Sequence, residues 1–209
     1  MARKPLWISV TGLFGTGKTT LVNDLKDYFV EKGLEVKRFE MPFQRDDVLN
    51  KLNNSYDIHA DILLLAYYTR LITQEIQELQ GSCYDIVLTD GSILDVILYA
   101  SINSYMFSDA ASIQGINTML IEDLIIFLDA EFDIAYTRIH KKENFSEKFK
   151  SKKSLRRQSI QLKKLYDFVQ KEKGLKQYQK TKFTLMDTTS NAKQYTLKMA
   201  KDFISSCHK

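Results

Sequence analysis

Along this chain, short runs of apolar, often β-branched residues alternate with longer stretches in which apolar positions recur at helical spacing. Leu6-Trp7-Ile8-Ser9-Val10 reads as a buried strand, and Thr19 to Lys32 after it as an amphipathic helix. Gly33 marks a helix stop, and Glu35 to Glu40 (EVKRFE) predicts a second strand that ends at Met41-Pro42. A short helix over Asp46 to Asn53 precedes a long one over Ile58 to Leu79. Asp85 to Thr89 (DIVLT) is a third strand, continuous enough to be buried on both faces, and it delivers Asp90 at its C-terminal end. Then come a helix from about Ile93 to Ser104, a polar loop around Ser108 to Gln114, and the strand Leu124 to Leu128 (LIIFL), which ends at Asp129. Helices over Glu131 to Lys142 and Ser154 to Lys173 flank a highly charged stretch, before a last strand at Phe183 to Met186 and a last helix over Asn191 to Ser205. This alternation predicts an α/β fold with a parallel sheet covered on both faces and an active site at the strand C-termini.

No repeat period, low-complexity linker or domain boundary interrupts the pattern, so the 209 residues are read as one domain. No run is long enough for a membrane span, and no secretory segment is visible. Cys83 and Cys207 match neither a disulfide framework nor a metal-ligand pattern, which suits a reducing, cytoplasmic setting. The formal charge of +4 suits a protein that handles phosphates without indicating nucleic acid.

Between the first strand and first helix lies Gly12 to Thr20, GLFGTGKTT, which fits the phosphate-loop pattern G-x-x-x-x-G-K-[ST] in its strand, loop, helix context. Gly12, Gly15 and Gly17 leave room for backbone N–H groups of the loop, including Thr16, to curl around phosphate oxygens at a helix N-terminus. Lys18 would sit on the β- and γ-phosphates of ATP, and the Thr19 hydroxyl, followed by Thr20, is placed to ligate Mg²⁺.

Three further features carry chemistry. Asp90, at the end of a buried strand, stands where a carboxylate would hold Mg²⁺, the alternative being a turn residue in Asp90-Gly91-Ser92. The long helix carries Tyr67, Tyr68 and Arg70, suited to a base and its phosphate, although helical periodicity cannot aim all three into one cleft. The charged run from His140 through Arg157 suits a lid closing cations over a transferring phosphoryl group, or a solvated loop.

On these residues the chain resembles the thymidylate kinase family of phosphate-loop nucleotide kinases over nearly its whole length. GLFGTGKTT is similar to the family's opening loop, and LLLAYYTRLITQEI to its L-F-A-A-D-R segment, which matches Arg70 to an acceptor-contacting arginine. VLTDGSILDVILYA resembles the D-R-Y-x-x-S-x-x-A-Y block, matching Asp90 to its Asp and Tyr99 to the aromatic near the base. LIIFLDAEFDIAYTRI matches Arg138 to the arginine before the lid, and Lys148 stands about where the lid arginine is expected, in a lid over about residues 143–153. The resemblance implies a five-stranded parallel sheet, ATP and Mg²⁺, a nucleoside monophosphate acceptor and often a homodimer.

The acceptor half departs from that pattern. The D-R pair is Asp90-Gly91, the block's serine is Asp95, and the thymine-stacking phenylalanine is Ala66. The R-E-P-G-G-T loop is Phe39-Glu40-Met41-Pro42-Phe43-Gln44, which keeps an acid and the proline. Three functions follow: phosphorylation of dTMP by ATP, with Arg45, Arg70 or a lid lysine replacing the lost arginine; phosphorylation of a deoxynucleoside or another small molecule's hydroxyl, with Glu40 as base; and non-catalytic ATP binding.

Overall fold

Trp7, Ile8 and Val10 are buried in β1 (Leu6–Gly12), the central strand of the sheet. The computed structural model describes residues 4–42, 45–53, 57–102, 121–141, 151–171, 176–190 and 193–207. The other strands are β2 (Val36–Glu40), β3 (Ile86–Asp90), β4 (Leu124–Asp129) and β5 (Lys182–Asp187). They form one parallel sheet in the order β2-β3-β1-β4-β5, as its fold class required.

Both faces of the sheet are covered, which is why its inner strands read as continuous apolar runs rather than alternating ones. On one face Ile8, Val10, Leu88, Ile126 and Leu128 pack against α1 (Lys18–Glu31) and α7 (Lys193–Cys207). On the other, Trp7, Val87, Ile125 and Phe127 pack against α3 (Ile58–Glu78), α4 (Leu94–Ile102) and α6 (Lys152–Lys171). The short α2 (Asp46–Asn53) and α5 (Phe132–His140) complete the helices among the described residues, together with a 3₁₀ turn at Lys176–Lys180. That turn is absent from the sequence reading, and α6 begins at Lys152, so Lys152 and Lys153 belong to a helix. The polar loop around Ser108 to Gln114 lies outside the described residues.

Strand β1 has β3 on one side and β4 on the other. The chain leaves β1 toward β2 on one side and leaves the adjacent β4 toward β5 on the other, so a crevice opens above the C-terminal ends of these two strands. The Gly12 to Thr20 loop occupies the end of β1. No described helix is long and apolar enough to cross a membrane, and both cysteines are free.

Candidate active site

Gly12, Gly15 and Gly17 all take positive φ, at +144°, +82° and +94°. Gly17 caps α1 in a left-handed conformation, and no side chain caps the helix N-terminus, so its first N–H groups face outward for an anion. Lys18 is only 6% exposed. Its Nζ donates to the carbonyls of Gly12 and Leu13, both at 3.0 Å, and lies 5.1 Å from the centre of the Phe14 ring. The Thr16 hydroxyl donates to the Leu13 carbonyl at 2.8 Å and braces the loop from within. Thr19 is half-buried at the helix start.

A pocket opens on each side of the loop. The outer one is lined by Gly15, Thr16, Gly17, Thr20, Arg138 and Thr188, among others. Arg138 on α5 reaches it from below, Nη2 donating to the Thr188 carbonyl at 3.0 Å and Nη1 to the Gly15 carbonyl at 3.5 Å. The guanidinium of the expected catalytic arginine is thus fastened to backbone beside the outer pocket. The inner pocket is lined by Gly12, Phe14, Lys18, Asp95, Tyr99 and Gln158. Tyr99 lines it, its hydroxyl donating to Asp61 at 2.9 Å, and burial next to that acid pushes its pKa well up.

Asp95 was legible only as a lost serine, yet it sits in this pocket. Ser92 and Asp95 form a capping box for α4: the Ser92 hydroxyl accepts from the Leu94 N–H at 3.1 Å, and Asp95 accepts from the Ser92 N–H at 3.0 Å. Its other oxygen accepts from the Thr11 hydroxyl on β1, so one carboxyl ties α4 to the strand that feeds the loop. Burial raises its pKa, opposed by the charge of Lys18. The S-x-x-D spacing is the signal that could have found it.

Asp90 ends β3 with 1% exposure. One oxygen accepts from Arg38 Nη2 at 3.3 Å, and the other is buried with no hydrogen-bond partner among the described residues. The same Nη2 donates to Glu40 at 3.1 Å, so Arg38 bridges the ends of β2 and β3. Sequence reasoning passed over Arg38 because a charged residue in an edge strand normally faces solvent.

Beneath α4 lies a second unforeseen acid. Glu122 is fully buried and accepts from the Ser92 hydroxyl at 2.7 Å, the Ile93 N–H at 2.9 Å, Ser9 at 3.2 Å and Tyr178 at 3.2 Å. Burial raises its pKa despite those donors. A raised carboxyl pKa means that the folded state keeps its proton where the unfolded chain has lost it. The contribution is therefore present below the ordinary Glu range and is lost as pH rises through the raised value. Glu122→Gln should remove that loss: between about pH 5 and about pH 8 its urea midpoint should gain on the wild type's, whereas parallel midpoints would contradict the assignment.

The remaining expected residues scatter. Tyr67 is 58% exposed and Arg70 is exposed on α3, so neither lines the inner pocket, while Ala66 is buried. Tyr68 instead accepts from Lys51 at 2.7 Å beneath the Arg45 guanidinium, which is itself held by both oxygens of Asp47. Lys148 and residues 143–150 of the expected lid lie outside the described residues.

The family model for thymidylate kinase matches residues 10–190, from the end of β1 to beyond β5. The chain belongs to the thymidylate kinase family. A probable thymidylate kinase of Sulfurisphaera tokodaii is 27% identical over 168 residues, covering 79% of this chain and 86% of that protein. Probable thymidylate kinase 1 of Saccharolobus solfataricus is 29% identical over 167 residues, covering 77% and 85%. In fold, a thymidylate kinase from Candida albicans is similar with a TM-score of 0.74 at 16% identity, over 99% of this chain and 94% of that one. A deoxyadenosine kinase from M. mycoides gives 0.68 at 16% identity, over 96% and 100%. As a thymidylate kinase family member the chain is a nucleotide kinase that draws its phosphoryl group from ATP.

Proposed function

We propose that this chain transfers the γ-phosphoryl group of ATP to dTMP, giving dTDP and ADP, and that it does so as a single domain whose lid is the charged segment from about residue 143 to the start of α6. The observation that carries the reading is the phosphate loop with a pocket on each side, which separates donor from acceptor across one buried lysine. The uncapped N-terminus of α1 takes the donor phosphates, while Arg138 and Thr188 border the donor nucleoside. Lys18 leaves the carbonyls of Gly12 and Leu13 for the phosphates, exchanging neutral partners for charged ones. Tyr99 and Asp95 shape the acceptor pocket, Glu40 borders it at the end of β2, and Lys148 supplies a lid cation.

The site also fits Mg²⁺. The Thr19 hydroxyl and the unpartnered buried oxygen of Asp90 are the hard oxygen donors such an ion takes, directly or through water. Among the described residues no group of three or more His, Cys, Asp or Glu side chains is placed to hold a metal ion. When bound, Mg²⁺ neutralises charge developing on the bridging phosphate oxygens. We read the protein as cytoplasmic, with no nucleic-acid or membrane partner, and as a homodimer that pairs through the exposed Leu63, Tyr67 and Leu71 of α3.

A second reading rests on Glu40, half-exposed beside Asp90 and able to accept a proton from an acceptor hydroxyl. A coupled ADP-release assay with ATP and Mg²⁺ separates the two. Turnover with dTMP and none with unphosphorylated nucleosides is the expected result. Turnover confined to nucleosides would overturn it in favour of Glu40 as base, and ATP binding without transfer to either panel would leave a binding module.

A further inference from the structure

We propose that Arg38 is the residue that recognises the acceptor's phosphate. Glu40 and Asp90 are register partners at the ends of β2 and β3, so a phosphate dianion approaching those ends meets two carboxylates. It needs a cation there. Arg38 lies two residues before Glu40 on the same face of the sheet, and a single nitrogen, Nη2, reaches both acids at 3.1 and 3.3 Å. Its Nε is buried with no hydrogen-bond partner among the described residues, so the fork is anchored by one corner and has donors to spare.

The neighbouring position cannot supply that cation. Gly91 has φ +101°, and a Cβ there would meet the Cβ of Met41 at 2.7 Å and an oxygen of Asp95 at 2.8 Å. Any side chain after Asp90 would have to displace both the end of β2 and the capping box of α4. Arg45 is held bidentately by Asp47, Arg70 is exposed on α3, and Arg138 is fastened to Thr188 on the donor side. The acids that would repel a phosphate thus hold the guanidinium beside the ends of the two strands. On binding, the half-exposed Glu40 swings away and phosphate oxygens take its place on the fork.

This inference rests on the dTMP reading. Calorimetric titration of dTMP and of thymidine into wild type and Arg38→Gln tests it, with ATP affinity as the check on folding. Wild type should favour dTMP over thymidine. Arg38→Gln should weaken dTMP between about tenfold and about a hundredfold while leaving thymidine and ATP unchanged. A variant that keeps the phosphate preference, or loses both acceptors alike, overturns the role of Arg38. A wild type without that preference overturns the dTMP reading and this inference with it. Arg38→Lys keeps the charge that Asp90 requires and guards against misfolding of the glutamine variant. It should lose part of the dTMP affinity alone, and dTMP affinity equal to wild type would overturn recognition by the fork.

Discussion

Replacing Lys18 with alanine should lower the rate of phosphoryl transfer by about a hundredfold to about a thousandfold while leaving the fold intact. The ammonium is the cation within the loop, and it waits at 3.0 Å from two backbone carbonyls with the Phe14 ring against it. Those partners are neutral, so charge developing between donor and acceptor outcompetes them. Their loss in Lys18→Ala leaves carbonyls beside a pocket that water can enter, which limits the structural cost. Single-turnover ADP formation, alongside thermal unfolding, makes the comparison. Turnover within threefold of wild type would remove Lys18 from the chemistry, and a collapsed unfolding transition would mean that its carbonyl bonds hold the loop together.

Gly12→Ala should have the largest effect on folding, above about 4 kcal/mol and enough to deplete soluble protein. Gly12 pairs with Leu128 across β1 and β4, and a Cβ at its φ of +144° would stand 2.0 Å from the Leu128 carbonyl oxygen. Backbone occupies that space, so the two strands would have to part where the loop begins. Gly17 is the matched control. Its φ is also positive, but nothing lies within 4 Å of a Cβ there, so Gly17→Ala should cost only the conformational penalty of about 1–2 kcal/mol. Urea unfolding of both variants compares the two costs, and equal destabilisation would show that the clash at Gly12 is relieved by small shifts.

Strand and helix positions were legible because both sheet faces are covered. A run such as LIIFL is buried at every position in β4 and therefore announces itself. The loop was legible because it is a contiguous motif with its strand and helix on either side. Arg38, Asp95 and Glu122 were not, because each derives its role from partners distant in sequence. Asp90 is far along the chain from Arg38, Thr11 from Asp95, and Ser9 from Glu122. Arg70 and Tyr67 illustrate a different case: a helix fixes their spacing, but the spacing does not tell which face is covered, and both stand exposed on α3.

The position of β1 in the sheet also bears on how the chain reaches its native state. It precedes the other strands of the sheet in the chain, yet Leu6 pairs with Ile86 and Ile8 with Leu124, so one of its edges waits for β3 and the other for the still later β4. Such long-range parallel pairing is intrinsically slow, because loop-closure entropy is lost before contacts compensate for it. During synthesis the phosphate-binding segment thus waits for β4, made well after it, before both edges of its strand are held.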